Sequence, residues 1–248
     1  MNNAYNDNKT STAYQAFLDS KNGQIFKQIT GQAILQRLPQ APAVILDAGC
    51  GSGWLSGKIA KTGHTVSACD DSEELLKKAK NDFPNIDFKQ ANLEKPLPFA
   101  QNQFDAVVLN MVLHDLEDQP KAINNLKTVL KPNGKIIATI VNPYYGYPVA
   151  VWKRGFSGFL LRKKPKIKLA KAYNRLAEAG SDKSYLWNEV LKSRFYPLSE
   201  HLNNFIKANF VLNYYEDIKT QKDASGFNLN YQLFRVPIIL LLEFKKVD

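Results

Sequence analysis

Three glycines at alternate positions follow an acidic residue in the segment VILDAGCGSGW. Asp47 ends a run of aliphatic residues, and Gly49, Gly51 and Gly53 lie within the next six positions. Glycine has no Cβ, so a loop built in this way can adopt positive φ angles and let a ligand lie against bare backbone. The pattern predicts a ligand-binding loop between a buried strand and the helix that follows it.

The spacing of the glycines separates two classes of ligand that use such a loop. The dinucleotide fingerprint requires a third glycine three residues after the second, and the residue at that position is Trp54. A second carboxylate, Asp70, ends the next predicted strand, about 20 residues past the glycines, which is the distance at which an acid reaches ribose hydroxyl groups. The two features together indicate a nucleoside ligand and disfavour a dinucleotide.

Beyond this loop the sequence resembles the class I S-adenosylmethionine-dependent methyltransferases. VILDAGCGSGWLS is similar to the first motif of that family, and VSACDDSEELLKKAK to its second strand and following helix. ANLEKPLPF, FDAVVLNMVLHDLED and LKTVLKPNGKIIATIV are similar to later blocks in the same order. Similarity to the small-molecule branch returns in FYPLSEHLNNFIKANF and RVPIILLLEFKK. The resemblance implies S-adenosyl-L-methionine as the cofactor and methyl transfer as the reaction.

The resemblance also implies which residues bind the cofactor. Asp70 would bind the ribose, Asp71 would lie against the adenine, and Asn92 would accept a hydrogen bond where many relatives have aspartate. Asp71 is in addition a candidate N-cap of the next helix, with Glu74 three residues later as in a capping box. The expected cofactor-binding residues are Tyr14, Asp47, Gly49, Cys50, Gly51, Gly53, Asp70, Asp71, Asn92, Leu93, Asn110 and Met111.

One histidine lies where catalysis would take place. The fourth predicted strand ends at Asn110, at the carboxyl edge of the sheet where open α/β folds bind ligands. His114 and Asp115 follow as an adjacent imidazole and carboxylate. Two interpretations of His114 stay open: a general base for an acceptor that must lose a proton, or a structural residue that forms a hydrogen bond.

The fold class that the resemblance implies is α/β and Rossmann-like. A mixed seven-stranded sheet is expected in the order 3-2-1-4-5-7-6, with the last strand antiparallel and helices on both faces. Residues 1–42 are expected to form one or two helices, which either pack on the sheet edge or form a lid over the site. Residues 43–248 form the expected methyltransferase domain, in which Ser199 is a candidate cap for a helix from Leu198 to Phe210.

An insertion after the fifth strand, residues 143–197, is unusually basic and aromatic, and we call it the cap. Residues 143–177 contain nine Lys or Arg and no Asp or Glu. The net charge of the whole chain is +10, so the rest of the chain carries only about +1. Tyr144, Tyr145 and Trp152 are expected to line an acceptor pocket, unless the aromatic residues form the cap's own core and the cations solvate it. A functional cap could bind an anionic membrane surface, single-stranded nucleic acid or a small anionic acceptor.

Cysteine content and hydropathy bear on the compartment. Cys50 and Cys69 are the only cysteines, so neither a disulfide framework nor a zinc site is indicated. The longest apolar run is far shorter than the ~18 residues that span a bilayer, and a cytoplasmic protein is expected.

The sequence therefore favours a methyltransferase of a small, lipid-like or anionic acceptor. Two alternatives are an RNA methyltransferase and a cofactor-binding protein without catalysis.

Overall fold

The computed structural model describes residues 8–143, 150–153, 166–169, 183–186, 191–194, 196–218, 237 and 239–247. For the four short segments between 150 and 194, only the backbone is described. The helices are α1 (Asn8–Asp19), α2 (Lys21–Arg37), α3 (Trp54–Ala60), α4 (Glu73–Asp82), α5 (Gln119–Val129) and α6 (Leu198–Lys207). The strands are β1 (Val44–Ala48), β2 (Thr65–Asp70), β3 (Asp87–Gln90), β4 (Phe104–Asn110), β5 (Leu130–Val141), β6 (Ala150–Lys153), β7 (Lys166–Leu169), β8 (Lys183–Leu186), β9 (Leu191–Arg194), β10 (Phe210–Ile218) and β11 (Ile239–Lys246).

Seven strands form one sheet in the order β3-β2-β1-β4-β5-β11-β10. β11 is antiparallel to both of its neighbours, and the strands from β3 to β5 are parallel to one another. Since β10 and β11 are the sixth and seventh strands of this sheet in chain order, the predicted order 3-2-1-4-5-7-6 is confirmed. In the cap, β6 pairs with β7 and β8 with β9, each pair antiparallel.

The central strands are buried on both faces, which explains their nearly continuous apolar sequences. Leu46 and Val107 face a cluster that includes residues of α5 and α6. Their sequence neighbours Ile45 and Val108 face the opposite cluster, which includes residues of α1, α2 and α3. All four side chains have no exposed surface, because successive residues of a strand point to opposite sides of the sheet. Because β1, β2 and β4 are parallel, their carboxyl ends meet at one edge of the sheet, where the predicted site lies.

Two predicted helix caps are wrong. The N-cap of α4 is Ser72 instead of Asp71, and its hydroxyl accepts a hydrogen bond from the Leu75 N–H at 3.4 Å. The N-cap of α6 is Pro197, so Ser199 lies inside the first turn and caps nothing. Pro120 lies in the first turn of α5, where its missing N–H removes no helical hydrogen bond.

A buried carboxylate fastens α2 to the sheet. Glu243 of β11 is 1% exposed and accepts hydrogen bonds from Arg37 Nε at 2.9 Å, from Lys135 Nζ at 3.2 Å and from the Asn213 amide. The Arg37 guanidinium also stacks on the ring of Tyr214, 4.1 Å from its centroid. Burial alone would raise the pKa of Glu243, but these bonds outweigh burial and hold the pKa below its usual range. The ionised form is therefore the one that the fold stabilises.

We expect Glu243→Gln to lower the free energy of unfolding by about 1–3 kcal/mol at neutral pH, the cost of a lost hydrogen bond to a charged group. Because the folded-state pKa is depressed, this contribution is present above the unfolded pKa and is lost as the pH falls through the folded pKa. Urea unfolding of wild type and variant near pH 7 and near pH 4 should show a difference that shrinks at the lower pH. The exposed Glu73→Gln is the matched control, and an equal loss at both pH values would contradict the assignment.

Candidate functional site

The middle residue of the glycine loop has room for a Cβ atom at ordinary contact distance from its neighbours. Gly51 has a φ of 53°, and a Cβ there would approach only Tyr14 Cε1 at 3.6 Å and Leu75 Cδ1 at 3.8 Å, which are ordinary contacts. A Cβ on Gly53 would instead lie 2.9 Å from Phe88 Cζ, inside the core. Gly53 is therefore required by packing. Gly51 keeps a bare backbone surface beside Tyr14, where a ligand can lie against the chain.

Asp70 ties this loop to the end of β2. Its Oδ2 accepts a hydrogen bond from the Gly51 N–H at 2.8 Å, and its Oδ1 accepts one from the Ser72 N–H at 2.9 Å. Burial raises the pKa of Asp70, and the neighbouring Asp71 and Asp115 carboxylates raise it further against the lowering effect of the two N–H groups. Each carboxylate oxygen has a second lone pair, so Asp70 can still accept hydrogen bonds from ligand hydroxyl groups.

Asp47 and Cys50 lie inside the protein. Asp47 is 1% exposed and accepts a hydrogen bond from the Ser56 hydroxyl of α3 at 2.5 Å. Burial raises the pKa of Asp47 to about 7. Burial also raises the pKa of the Cys50 thiol, which packs with Leu76 and Phe88. Asp47 therefore helps to hold α3 against the end of β1. The sequence pattern had not indicated its partner, Ser56.

The residues expected at the adenine come together at the ends of β2 and β3. Asn92 Nδ2 donates a hydrogen bond to Asp71 Oδ2 at 3.2 Å, and Asn92 Oδ1 accepts one from the Glu94 N–H at 2.8 Å. The amide oxygen therefore already has one partner and keeps one lone pair. Leu93 is buried in the core beside this turn.

The chain turns sharply at the end of β4. Met111 has a φ of 62°, a left-handed conformation that is uncommon outside glycine. Thr139 of β5 holds the turn: its hydroxyl donates to Asn110 Oδ1 at 2.7 Å, and its carbonyl accepts from the Met111 N–H at 3.0 Å. Thr139 is a site residue that the sequence did not reveal, because it belongs to a different strand.

Tyr14 of α1 lies over the glycine loop. Besides lying next to Gly51, Tyr14 is near enough to three carboxylates for their charges to change the pKa of its hydroxyl. Burial raises the pKa of Tyr14, and Asp70, Asp115 and Asp47 raise it further. The structure therefore brings Tyr14 of the first helix next to Gly51 and near the carboxylates expected at the cofactor site.

His114 lies in a short 3₁₀ helix, Leu113–Asp115, directly after the turn of Met111. The side chain is 11% exposed, and its Nε2 is 3.9 Å from Asp115 Oδ2. Its Nδ1 is buried and has no hydrogen-bond partner within the described ranges. This geometry leaves His114 with a ring nitrogen that the fold does not use.

A buried polar network holds the segment around His114 from behind. Gln119 donates a hydrogen bond to the Leu113 carbonyl at 2.8 Å, which fixes its amide orientation. Its Oε1 is then an acceptor for Asn204 Nδ2 at 3.2 Å and for His201 Nδ1 at 3.1 Å, so His201 carries its proton on Nδ1. Burial, aided by His114, lowers the pKa of His201 to about 3 and keeps the ring neutral.

The sequence offered one signal for this network, which is the pair of polar residues at positions 201 and 204 on the inward face of an otherwise amphipathic helix. Tyr196, just before α6, adds a further tie, since its hydroxyl donates to the Leu116 carbonyl at 2.8 Å. The segment that carries His114 and Asp115 is therefore fixed by groups from α5, from α6 and from the chain that leads into α6.

The expected acceptor residues cannot be placed in the same way. Tyr144 and Tyr145 lie outside the described residues. Trp152 belongs to β6, where its backbone is paired with that of Ile167, and its side chain is outside the description. Among the residues whose positions the structure gives, no group of three or more His, Cys, Asp or Glu could hold a metal ion. No helix in those same ranges is long and apolar enough to cross a membrane.

Comparisons with known proteins agree with this architecture. A family model described as a methyltransferase domain matches residues 46–138. A demethylmenaquinone methyltransferase of Clavibacter sepedonicus is 30% identical over 206 residues, which are 81% of this chain and 78% of the relative. A malonyl-[acyl-carrier protein] O-methyltransferase of Erwinia pyrifoliae is 29% identical over 215 residues, 82% of this chain and 81% of the relative.

Two further curated relatives are matched over about half of their own length, 49% and 47%. The crystal structure of an S-adenosylmethionine-dependent methyltransferase from Mesorhizobium loti has the same fold, with a TM-score of 0.68 at 22% identity over 89% of this chain and 97% of that one. The chain belongs to the class I S-adenosylmethionine-dependent methyltransferases, and S-adenosyl-L-methionine is its cofactor.

Proposed function

We propose that this protein methylates a small acceptor that is lipid-like or anionic. The observation that carries the proposal is the bare backbone of Gly51, with room for an added atom, beside the Asp70 carboxylate. The names of the two relatives support the acceptor class, since one acts on a demethylmenaquinone and the other on a malonyl group of an acyl-carrier protein.

The residues around Gly51 suit the parts of the cofactor. Asp70 would accept hydrogen bonds from the ribose hydroxyls, and Asp71 with Asn92 would border the adenine. Gly51 would lie against the ligand under the ring of Tyr14. When bound, S-adenosylmethionine supplies a methyl group attached to positively charged sulfur. The protein's own task is then to align the acceptor and to exclude water.

His114 is proposed as the base that removes a proton from an acceptor hydroxyl or acid group. We expect His114→Gln to lower the turnover rate by about 10²–10⁴-fold, the usual contribution of a positioned base, with cofactor affinity unchanged. The matched control is His64→Gln, which replaces a half-buried histidine directly before β2. Wild-type turnover in the His114 variant would leave this histidine a structural role only.

The acceptor class is tested by release of S-adenosylhomocysteine. Purified protein is incubated with demethylmenaquinone, malonyl-acyl-carrier protein, a lipid extract or RNA. We expect release with one of the first three. Release with RNA alone would favour the nucleic-acid alternative, and binding of S-adenosylhomocysteine without turnover of any acceptor would favour a non-catalytic protein.

The basic cap is proposed to attract the acceptor's anionic group. Replacing Arg162, Lys163 and Lys164, which lie outside the described residues, by Glu should raise KM for the acceptor and leave cofactor affinity unchanged. The effect should weaken as salt screens the charges. Salt-dependent sedimentation of wild type with anionic vesicles, lost in the variant, would place the acceptor at a membrane surface. An unchanged KM would mean that these charges only solvate the cap.

A further inference from the structure

A cleft lined by three lysines lies outside the expected cofactor site, between α2, α3 and the end of α4. Its volume is about 380 Å³, within the range of small-molecule sites. None of its lining residues is acidic. The lining residues are Gln24, Lys27, Gln28, Trp54, Gly57, Lys58, Lys61 and Phe83.

The three lysines of this cleft differ from the lysines of the neighbouring helix α4. Lys77 and Lys78 form ion pairs with Glu74 and Asp82 at 2.8 and 2.9 Å. In the described part of the chain, by contrast, Lys27, Lys58 and Lys61 have no carboxylate partner. Three like charges that line one cleft without a described counter-charge repel one another, and an anion in the cleft would relieve that repulsion.

Lys58 and Trp54 are held in place before any ligand arrives. The Lys58 ammonium lies 5.5 Å from the centroid of the Trp54 ring and 3.4 Å from the Lys27 carbonyl, to which it donates. Both side chains pack across Gly31 of α2, where a Cβ would lie 3.3 Å from Trp54 Cζ3 and 3.5 Å from Lys58 Nζ. Burial lowers the pKa of Lys58, and Lys27 lowers it further, as expected for a cation without a counter-ion.

We propose that this cleft binds a small phosphorylated molecule that carries a planar ring, of the nucleoside phosphate type. Lysine ammonium groups suit phosphate oxygens as point charges, and three of them match a ligand with several negative charges. Trp54 and Phe83 offer apolar ring surface for the planar group, and Gln24 and Gln28 offer both donors and acceptors. A membrane surface fits less well, because Trp54 and Phe83 are half-buried in a concave site and do not project into solvent.

Calorimetric titration with uridine triphosphate tests the proposal. Saturating S-adenosylhomocysteine is present throughout, so that the cofactor pocket is filled. Inorganic triphosphate, which keeps the three phosphates but lacks the nucleoside, should bind more weakly than uridine triphosphate, and uridine, which lacks the phosphates, should not bind detectably. Trp54→Leu should remove the advantage of uridine triphosphate over inorganic triphosphate.

The decisive variant replaces Lys27, Lys58 and Lys61 by Gln. It should bind uridine triphosphate at least about tenfold more weakly, the scale of three exposed charge pairs. A control with Lys77, Lys78 and Lys80 replaced by Gln loses the same charge and should bind as wild type does. Binding of S-adenosylhomocysteine and an unchanged melting temperature verify that both variants are folded.

Three outcomes would overturn the proposal. They are no heat with uridine triphosphate, equal weakening in both triple variants, and binding of the cleft lysines to anionic vesicles in place of the nucleotide. Because the cofactor pocket is occupied and monitored separately, failure here is distinguishable from failure of the methyltransferase assay.

Discussion

Gly51→Val should abolish binding of S-adenosylmethionine and of its demethylated product while the protein remains folded. The backbone at Gly51 has a φ of 53°, which a residue branched at Cβ adopts only with strain of about 1–3 kcal/mol. The Cβ itself has room, since its nearest neighbours are at 3.6 and 3.8 Å. The added methyl groups would extend into the space beside Tyr14 that we assign to the ligand. The loss should therefore fall on binding far more than on folding.

Thermal unfolding with and without S-adenosylhomocysteine measures this effect. A ligand at 100 times its Kd stabilises the wild type by about 2.7 kcal/mol, and the valine variant should gain nothing. Gly53→Ala is the informative comparison, because its Cβ would lie 2.9 Å from Phe88 Cζ and should lower stability even without ligand. Ligand-dependent stabilisation that survives in Gly51→Val would show that the loop is not the binding site.

Asp70→Ala should weaken cofactor binding by ~1.5–3 kcal/mol, the range for hydrogen bonds to a charged group. The variant also removes the acceptors of the Gly51 and Ser72 N–H groups, so the glycine loop loses its tie to β2. Binding should depend on pH as well. Because the folded-state pKa of Asp70 is raised, affinity should begin to fall at a higher pH than an ordinary aspartate would predict, as protonation removes the charge that accepts the ribose bonds.

Isothermal titration with S-adenosylhomocysteine at several pH values tests both statements. Asp82→Ala, an exposed carboxylate on α4, is the matched control and should bind as wild type does. Wild-type affinity in Asp70→Ala would contradict the ribose assignment, whereas wild-type binding that does not weaken as the pH falls would contradict the raised pKa of Asp70.

Local patterns in the sequence predicted the loop, the strand before it and the main carboxylates, whereas the strand order was implied by the resemblance to the family. An apolar run that ends in Asp47 and three glycines encodes a strand, a loop and a helix within one short segment, and Asp70 follows at a fixed distance. The central strands are buried on both faces of the sheet, and their sequences are therefore almost continuously apolar. These features could be predicted because the residues that create them are close together in the chain.

A local choice could still be decided by tertiary contacts, as the start of α4 shows. Asp71 and Ser72 are both good capping residues. Asp70 accepts a hydrogen bond from the Ser72 N–H, and Ser72 is held extended with its hydroxyl toward Leu75. The Asp71 carboxylate meanwhile binds Asn92, which comes from the end of another strand. The hydrogen bonds of Asp70 and Asp71 therefore make Ser72, and not Asp71, the N-cap of α4.

The remaining contacts of the site depended wholly on how distant segments pack. Tyr14 reaches Gly51 only because α1 folds back across the loop, and Arg37 meets Glu243 across 206 positions of sequence. Gln119 and His201 are 82 positions apart, yet they share one buried hydrogen bond. No sequence spacing predicts such pairs, because their geometry depends on how the helices pack against the sheet. The sequence alone therefore predicted the cofactor and the loop expected to bind it, and the tertiary structure decided which side chains hold these segments in place.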